Sequence, residues 1–182
     1  MLLKGSGTFS LAGSNNVQVL AANVNGALTY SDQDGLQIGT VGGVGGIRTG
    51  ANDLTLTAGN LVELNEVIDL QQATASLNIT QAGITQADTG GIRAGKLLIQ
   101  GSGDFVLNRP GNTVGDLAAN FAGGSLNLLT SGDLVVTSLN GVNGITAQEG
   151  NVALTAPNGF IRLDAPILAN GNGDGKAILV GD

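Results

Sequence analysis

Apolar and polar residues alternate in short runs along the whole chain. Thr8-Phe9-Ser10-Leu11, Val17-Gln18-Val19-Leu20, Leu54-Thr55-Leu56-Thr57, Leu77-Asn78-Ile79-Thr80 and Val152-Ala153-Leu154 are examples. A period of two predicts strands with one buried face. Gly, Asn, Asp and Ser fill the intervals, and these residues tolerate the backbone of tight corners. Only Leu61 to Gln72 shows some helical spacing. It aligns with Phe160 to Asn170, which contains Pro166, so both stretches are read as strand and corner.

The pattern also repeats at long range, with a shift of about 96–99 residues. Gly5-Ser6-Gly7-Thr8-Phe9 meets Gly101-Ser102-Gly103-Asp104-Phe105. Leu20-Ala21-Ala22-Asn23 meets Leu117-Ala118-Ala119-Asn120. Gly43-Val44-Gly45-Gly46-Ile47 meets Gly141-Val142-Asn143-Gly144-Ile145. Gly-Ser-Gly is read as a sharp corner, after which Phe and Leu, two apart, point inward.

Strands this short cannot each bury a face alone, which leaves a sandwich or a solenoid. Composition chooses between them. The chain is 42% hydrophobic but 3% aromatic, with 31 Gly among 182 residues. A narrow channel filled by aliphatic ladders suits this better than a sandwich core built on bulky rings. The expected fold is all-β, a parallel β-helix (β-solenoid) spanning 1–182 as a single segment. Long repeat one covers 5–100 and long repeat two covers 101–182. Coils of roughly 20 residues give about eight or nine coils, about five per long repeat, and an axis of about 40 Å.

The formal net charge is −7, which argues against nucleic acid and anionic membrane surfaces as partners. Without Cys or His, disulfides, thiol chemistry and Cys or His metal sites are excluded. No apolar stretch approaches membrane-spanning length, so membrane insertion is not expected.

Candidate chemistry is sparse. Asp32-Gln33-Asp34-Gly35 and Asn172-Gly173-Asp174-Gly175 have a calcium-loop flavour, but neither spaces its carboxylates as an EF-hand does. Corner turns account for them better. Glu63 with Glu66, and Asp32 with Asp34, are the closest acidic pairs for glycan hydrolysis. Their counterparts in the second copy are mostly not acidic, and Tyr30 is the sole tyrosine. Thr55 and Thr57 would suit an ice-matching array only if repeated on successive coils, and Ala153-Leu154-Thr155 breaks that row. Arg48, Arg93, Arg109 and Arg162 are read as solvated wall residues, with contact to anionic glycans as the alternative. Asn60, Asn120, Asn140 and Asn158 are candidates for inward or corner amide ladders. No catalytic, cofactor-binding or metal residue is assigned; an enzyme is not expected, and no cofactor is implied.

The stretches Gly90 to Ile99, Gly141 to Ala147, Gly103 to Leu107 and Val114 to Ala119 resemble the shaft repeats of filamentous-haemagglutinin-like exoproteins. The resemblance covers nearly the whole chain. It implies a right-handed parallel β-helix from a very large bacterial adhesin, secreted or held at the cell surface and often exported by two-partner secretion. The family's secretion domain carries Asn-Pro-Asn motifs. The nearest match, Ala156-Pro157-Asn158-Gly159, does not qualify, so an internal shaft fragment lacking the export signal is expected. The implied function is a structural rod segment that projects or presents other regions. The alternative is a solenoid face that itself adheres to a host or neighbour-cell receptor or glycan. Neither end reads as a polar cap, so head-to-tail self-association through open ends is also expected. Calorimetric titration with Ca²⁺ should give no heat, and chelator should leave the melting temperature unmoved; a saturable heat would reinstate the Asp32–Gly35 loop as a metal site.

Overall fold

The structure, a computed structural model, describes residues 1–170 and 175–182. Among the described residues there are strands, turns and bends but no helix. The helix-like stretch resolves into strands Val62–Leu64 and Val67–Asp69 separated by a corner.

Apart from two short antiparallel hairpins, strands between the end coils pair in parallel with strands one coil before and one coil after. One inward row runs Phe9–Leu28–Leu54–Ala75–Leu97–Leu117–Val136–Leu163. The neighbouring row runs Leu11–Tyr30–Leu56–Leu77–Ile99–Ala119–Ile145–Ile167. Each row crosses eight coils, so the chain is a β-solenoid of about eight turns. A second sheet forms the facing wall, with Leu36–Val62–Ile84–Phe105–Leu126–Val152–Ala177 as its row.

The walls enclose one dry core. Nearly every member of these rows between the two end coils is buried, and one hydrophobic cluster runs from Leu20 to Leu154. Aliphatic side chains fill the channel because parallel stacking sets each residue above its counterpart at the strand spacing, where like packs on like. Two of the four phenylalanines, Phe105 and Phe121, meet inside at 5.2 Å between ring centroids.

The repeated Gly-Ser-Gly phrase behaves as a corner in both copies. Gly5 and Gly7 have φ of 140° and 102°, and Gly101 and Gly103 have 119° and 100°. Phe105 and Leu107 then turn inward and are fully buried. Gly101 is further constrained by the coil beneath, since a Cβ there would lie 1.8 Å from the Ile79 carbonyl oxygen.

The long repeat, however, does not equal a whole number of coils. Four coils after Phe9 its row has reached Leu97, and five coils after it has reached Leu117. Phe105, the counterpart of Phe9, falls between them and sits on the facing wall, in the row of Ile84 and Leu126. The repeat therefore spans about four and a half coils rather than five. Coil length is the reason. Along the Leu11 row the steps are mostly 19 to 22 residues, but Tyr30 to Leu56 and Ala119 to Ile145 are each 26.

Both long coils contain an extra hairpin. Thr40–Val41 pairs antiparallel with Val44–Gly45, and Ser138–Leu139 with Val142–Asn143. The turn residues Gly42 and Gly43 have φ of 58° and 78°, and Asn140 and Gly141 have 47° and 86°. Two successive positive φ values give the two-residue turn that matches strand twist. Each hairpin folds back over the outside of the preceding coil, onto strands Val19–Asn25 and Thr113–Ala122. Leu139 and Val142 thereby cover Leu98 and Ala118 in a small second cluster outside the channel. This explains the recurring Leu-Ala-Ala phrase: Ala21 and Ala118 face outward yet are fully buried.

Gly101→Ala is expected to lower stability by at least about 2 kcal/mol in urea denaturation, from a strained φ and a blocked inter-coil contact. Gly132→Ala, at a position open to 4 Å, should be within about 0.5 kcal/mol of wild type.

Candidate functional site

Asp32 does not stand free for a ligand. It is buried, and Oδ2 accepts the Tyr30 hydroxyl at 2.9 Å and the Val17 amide at 3.0 Å. Oδ1 accepts the Asp34 amide at 3.1 Å, which closes a local Asx turn. Asp34 in turn accepts Asn16 Nδ2 at 2.7 Å. The pair is a hydrogen-bonded corner at the first coils. The Asn172–Gly175 candidate falls almost wholly outside the described residues. Among the described residues no cluster of three acidic or metal-ligating side chains forms.

Glu63 and Glu66 separate in role. Glu63 points outward from strand Val62–Leu64, stacked between Gln37 and Thr85. Glu66 lies at the next corner and accepts the Thr40 hydroxyl at 2.9 Å, pinning the first hairpin. Thr57 belongs to an outward row that reads Ser31–Thr57–Asn78–Gln100–Asn120–Thr146–Leu168. Its identity changes at nearly every coil, so this row is not a regular threonine lattice.

The four arginines divide into two kinds. Arg109 pairs with Asp88 at 3.3 Å, and Arg162 with Asp164 at 2.9 Å. Arg48 and Arg93 make no ion pair among the described residues. They lie two coils apart in one outward row, on either side of Asp69. Arg48 borders a shallow concavity of about 260 Å³, and Arg93 borders one of about 460 Å³; the two meet at Asp69 and Gln71.

The asparagines singled out in sequence do not stack on one another. Asn60 caps its own corner through the Leu61 amide at 2.9 Å, Asn120 is exposed beside Gln100, and Asn140 makes the second hairpin turn. Asn158 is exposed at a corner. The inward amides are instead Gln86 and Asn112. Gln86 takes a place in the row Leu20–Ile38–Leu64, which resumes at Leu107. Gln86 Nε2 donates to Asn112 Oδ1 at 3.0 Å, and Asn112 Nδ2 returns a bond to Gln86 Oε1 at 3.2 Å. Asn112 also accepts the Ile92 amide and donates to the Leu107 and Leu129 carbonyls. One side chain thus ties three successive coils. Thr130 continues the polar seam by accepting the Val114 amide at 2.9 Å. No described buried side-chain nitrogen or oxygen lacks a partner, so the seam is complete without a ligand.

No family model, curated protein or solved structure matches the chain. Among the described residues no helix is long and apolar enough to cross a membrane.

Burial, the hydrogen bond to Asp32 and the charge of that carboxylate all raise the Tyr30 phenol far above its ordinary value of 10.0. A raised folded-state value means that stability is fully present below pH 10 and is lost as pH climbs beyond it. Melting temperature should therefore fall above pH 10, and Tyr30→Phe should soften that fall. Because Tyr30 is the sole tyrosine, tyrosinate absorbance should appear together with unfolding; ionisation at an ordinary pH in the folded chain would contradict it. Separately, Asn112→Leu should cost about 3 kcal/mol by stranding Gln86 and backbone groups. Adding Gln86→Leu should restore part of that loss, so that a double-mutant cycle shows coupling.

Proposed function

We propose that the chain is a structural rod segment of a large bacterial secreted or cell-surface adhesin, with no catalytic role. One observation carries this reading: the repetition lies inside. The inward rows stay aliphatic through nearly all coils, whereas outward rows such as Ser31 to Leu168 change composition from coil to coil. Recurrent features on the outside, the two hairpins, seal the wall. The resemblance to filamentous-haemagglutinin-like shafts supports the same reading and supplies the bacterial surface as its setting.

The mechanism is mechanical. Coil-to-coil hydrogen bonds run along the axis, so an axial load is shared by several short strands per turn and by the buried rows between them. Each coil adds about 4.8 Å of reach, giving the eight coils about 38 Å. A second reading, adhesion through the wall itself, is favoured only by the groove between Arg48, Asp69 and Arg93.

A spacer experiment separates the two. The chain is placed between a bacterial surface anchor and a reporter module. As a rod it should hold the reporter at a single offset of about 38 Å, whereas a Gly/Ser linker of the same residue number should give a broad spread of distances with an r.m.s. span of roughly 70 to 80 Å. The isolated chain should show no saturable binding to cells or to acidic glycans. Saturable binding that Arg48→Ala with Arg93→Ala abolishes would replace the rod reading with the adhesive one.

A further inference from the structure

Six Asn-Gly pairs occur in the chain, beginning at Asn25, Asn140, Asn143, Asn158, Asn170 and Asn172. Such a pair carries its own reagents. The glycine backbone nitrogen can reach the carbonyl carbon of the asparagine side chain, and glycine has no Cβ to hinder the approach. The last two pairs involve residues outside those described, and the first four sit in different settings. In three of these four the glycine is locked. Gly26 N–H donates to the Thr49 carbonyl at 3.2 Å, Gly144 N–H to the Thr137 carbonyl at 3.0 Å and Gly159 N–H to the Ala156 carbonyl at 3.2 Å. Each is also pressed against a neighbouring coil. A Cβ would lie 2.2 Å from the Gly7 carbonyl oxygen at Gly26, 2.1 Å from the Pro166 carbonyl oxygen at Gly144 and 2.5 Å from the Asp133 nitrogen at Gly159. Asn143 is held as well, because its Oδ1 accepts the Ser138 hydroxyl at 2.7 Å.

Asn140-Gly141 differs in every respect. The two residues are the turn of the second hairpin, and both are exposed. The N–H of the second turn residue takes no part in the ladder of a two-residue hairpin, and Gly141 makes no backbone hydrogen bond among the described residues. A Cβ on Gly141 would meet nothing within 4 Å, so no neighbour confines its movement. The first hairpin has the same turn without the reagent, since Gly42-Gly43 carries no side-chain amide.

We propose that Asn140 is a self-modification site whose isoaspartyl product releases the second hairpin from the wall. Solvent base removes the Gly141 N–H proton, and the nitrogen attacks Asn140 Cγ. The Cγ–Nδ2 bond breaks, and the departing ammonia takes up a proton. Water then opens the resulting cyclic imide. Addition at Cγ gives aspartate, which suits the same turn. Addition at the former backbone carbonyl carbon gives isoaspartate, whose main chain runs through Cβ and Cγ and is one carbon longer. The pairings of Ser138 with Asn143 and Leu139 with Val142 depend on a two-residue connection, and the added carbon breaks that match. The hairpin then lifts from Leu98 and Ala118, which it covers. The inward rows take no part, so the shaft persists. The inference stands on the hairpin and not on the rod's role in an adhesin.

Peptide mapping of the folded 182-residue chain, held at mildly alkaline pH, tests it. Aspartate and isoaspartate should accumulate at Asn140 at least about fivefold faster than at Asn25, Asn143 or Asn158, whose glycine amides must first break a hydrogen bond. In urea the difference should vanish, because unfolding frees every pair. Amide hydrogen exchange should show residues 138–143 losing protection in the isoaspartyl fraction, while strand Leu126–Leu129 keeps it. Asn140→Gly reproduces the turn of the first hairpin; it should abolish the product and leave the second hairpin protected. An Asn140 no more reactive than any of the other three in the folded chain overturns the proposal. So does a rate difference that persists in urea, or an isoaspartyl hairpin as protected as the unmodified one.

Discussion

Parallel hydrogen bonding between coils is the constraint on which the rest of the molecule depends. Each winding must lie one strand spacing above the last, with its backbone close enough to pair along both walls. That distance fixes what stacks on what. It makes glycine obligatory where a corner meets the carbonyl beneath it, as at Gly101 over Ile79. It also selects the interior, because side chains in register must pack on their own kind. Leu, Ile, Val and Ala do this without large rings, which is why so little aromatic surface suffices.

Polar groups inside the shaft obey the same geometry. Asn112 replaces an aliphatic contact with bonds that reach the coils on both sides, and Gln86 reciprocates. Asp32 performs a related task near the first coil, gathering a hydroxyl and two amides. Such groups substitute directional bonds for packing at particular heights, and buried amide partners hold one register against sliding by a residue. A one-residue slip would turn every inward side chain outward, so the seam and the alternating pattern reinforce one another.

Much of this architecture was legible in the order of residues. Alternation around Leu54 to Thr57 and Leu77 to Thr80, with glycine and asparagine corners, sufficed for strands and stacked coils. The segment Leu61 to Gln72 was readable as strands because its counterpart holds Pro166. The number of coils per long repeat was not legible, since four to seven extra residues in each of two coils look like ordinary loop sequence. Their signal was present in Gly42-Gly43 and Asn140-Gly141, the dipeptides of tight hairpin turns. The polar seam was hidden for a different reason. An asparagine at a corner and one turned inward have the same local surroundings, so Asn112 could not be told from Asn60 without its neighbours in the next coils. The arginines were likewise equal in sequence, and only stacking set Arg48 and Arg93 in one row.

The half-coil left over by the long repeat has an architectural outcome. Phe9 and Phe105 fit opposite walls, so the same stretch of chain serves on either side of the shaft. The walls are interchangeable in their demands. Gaining or losing one such unit during duplication would preserve every stacked contact. It would also swing whatever lies beyond through half a revolution, aiming its exposed features away from their former direction.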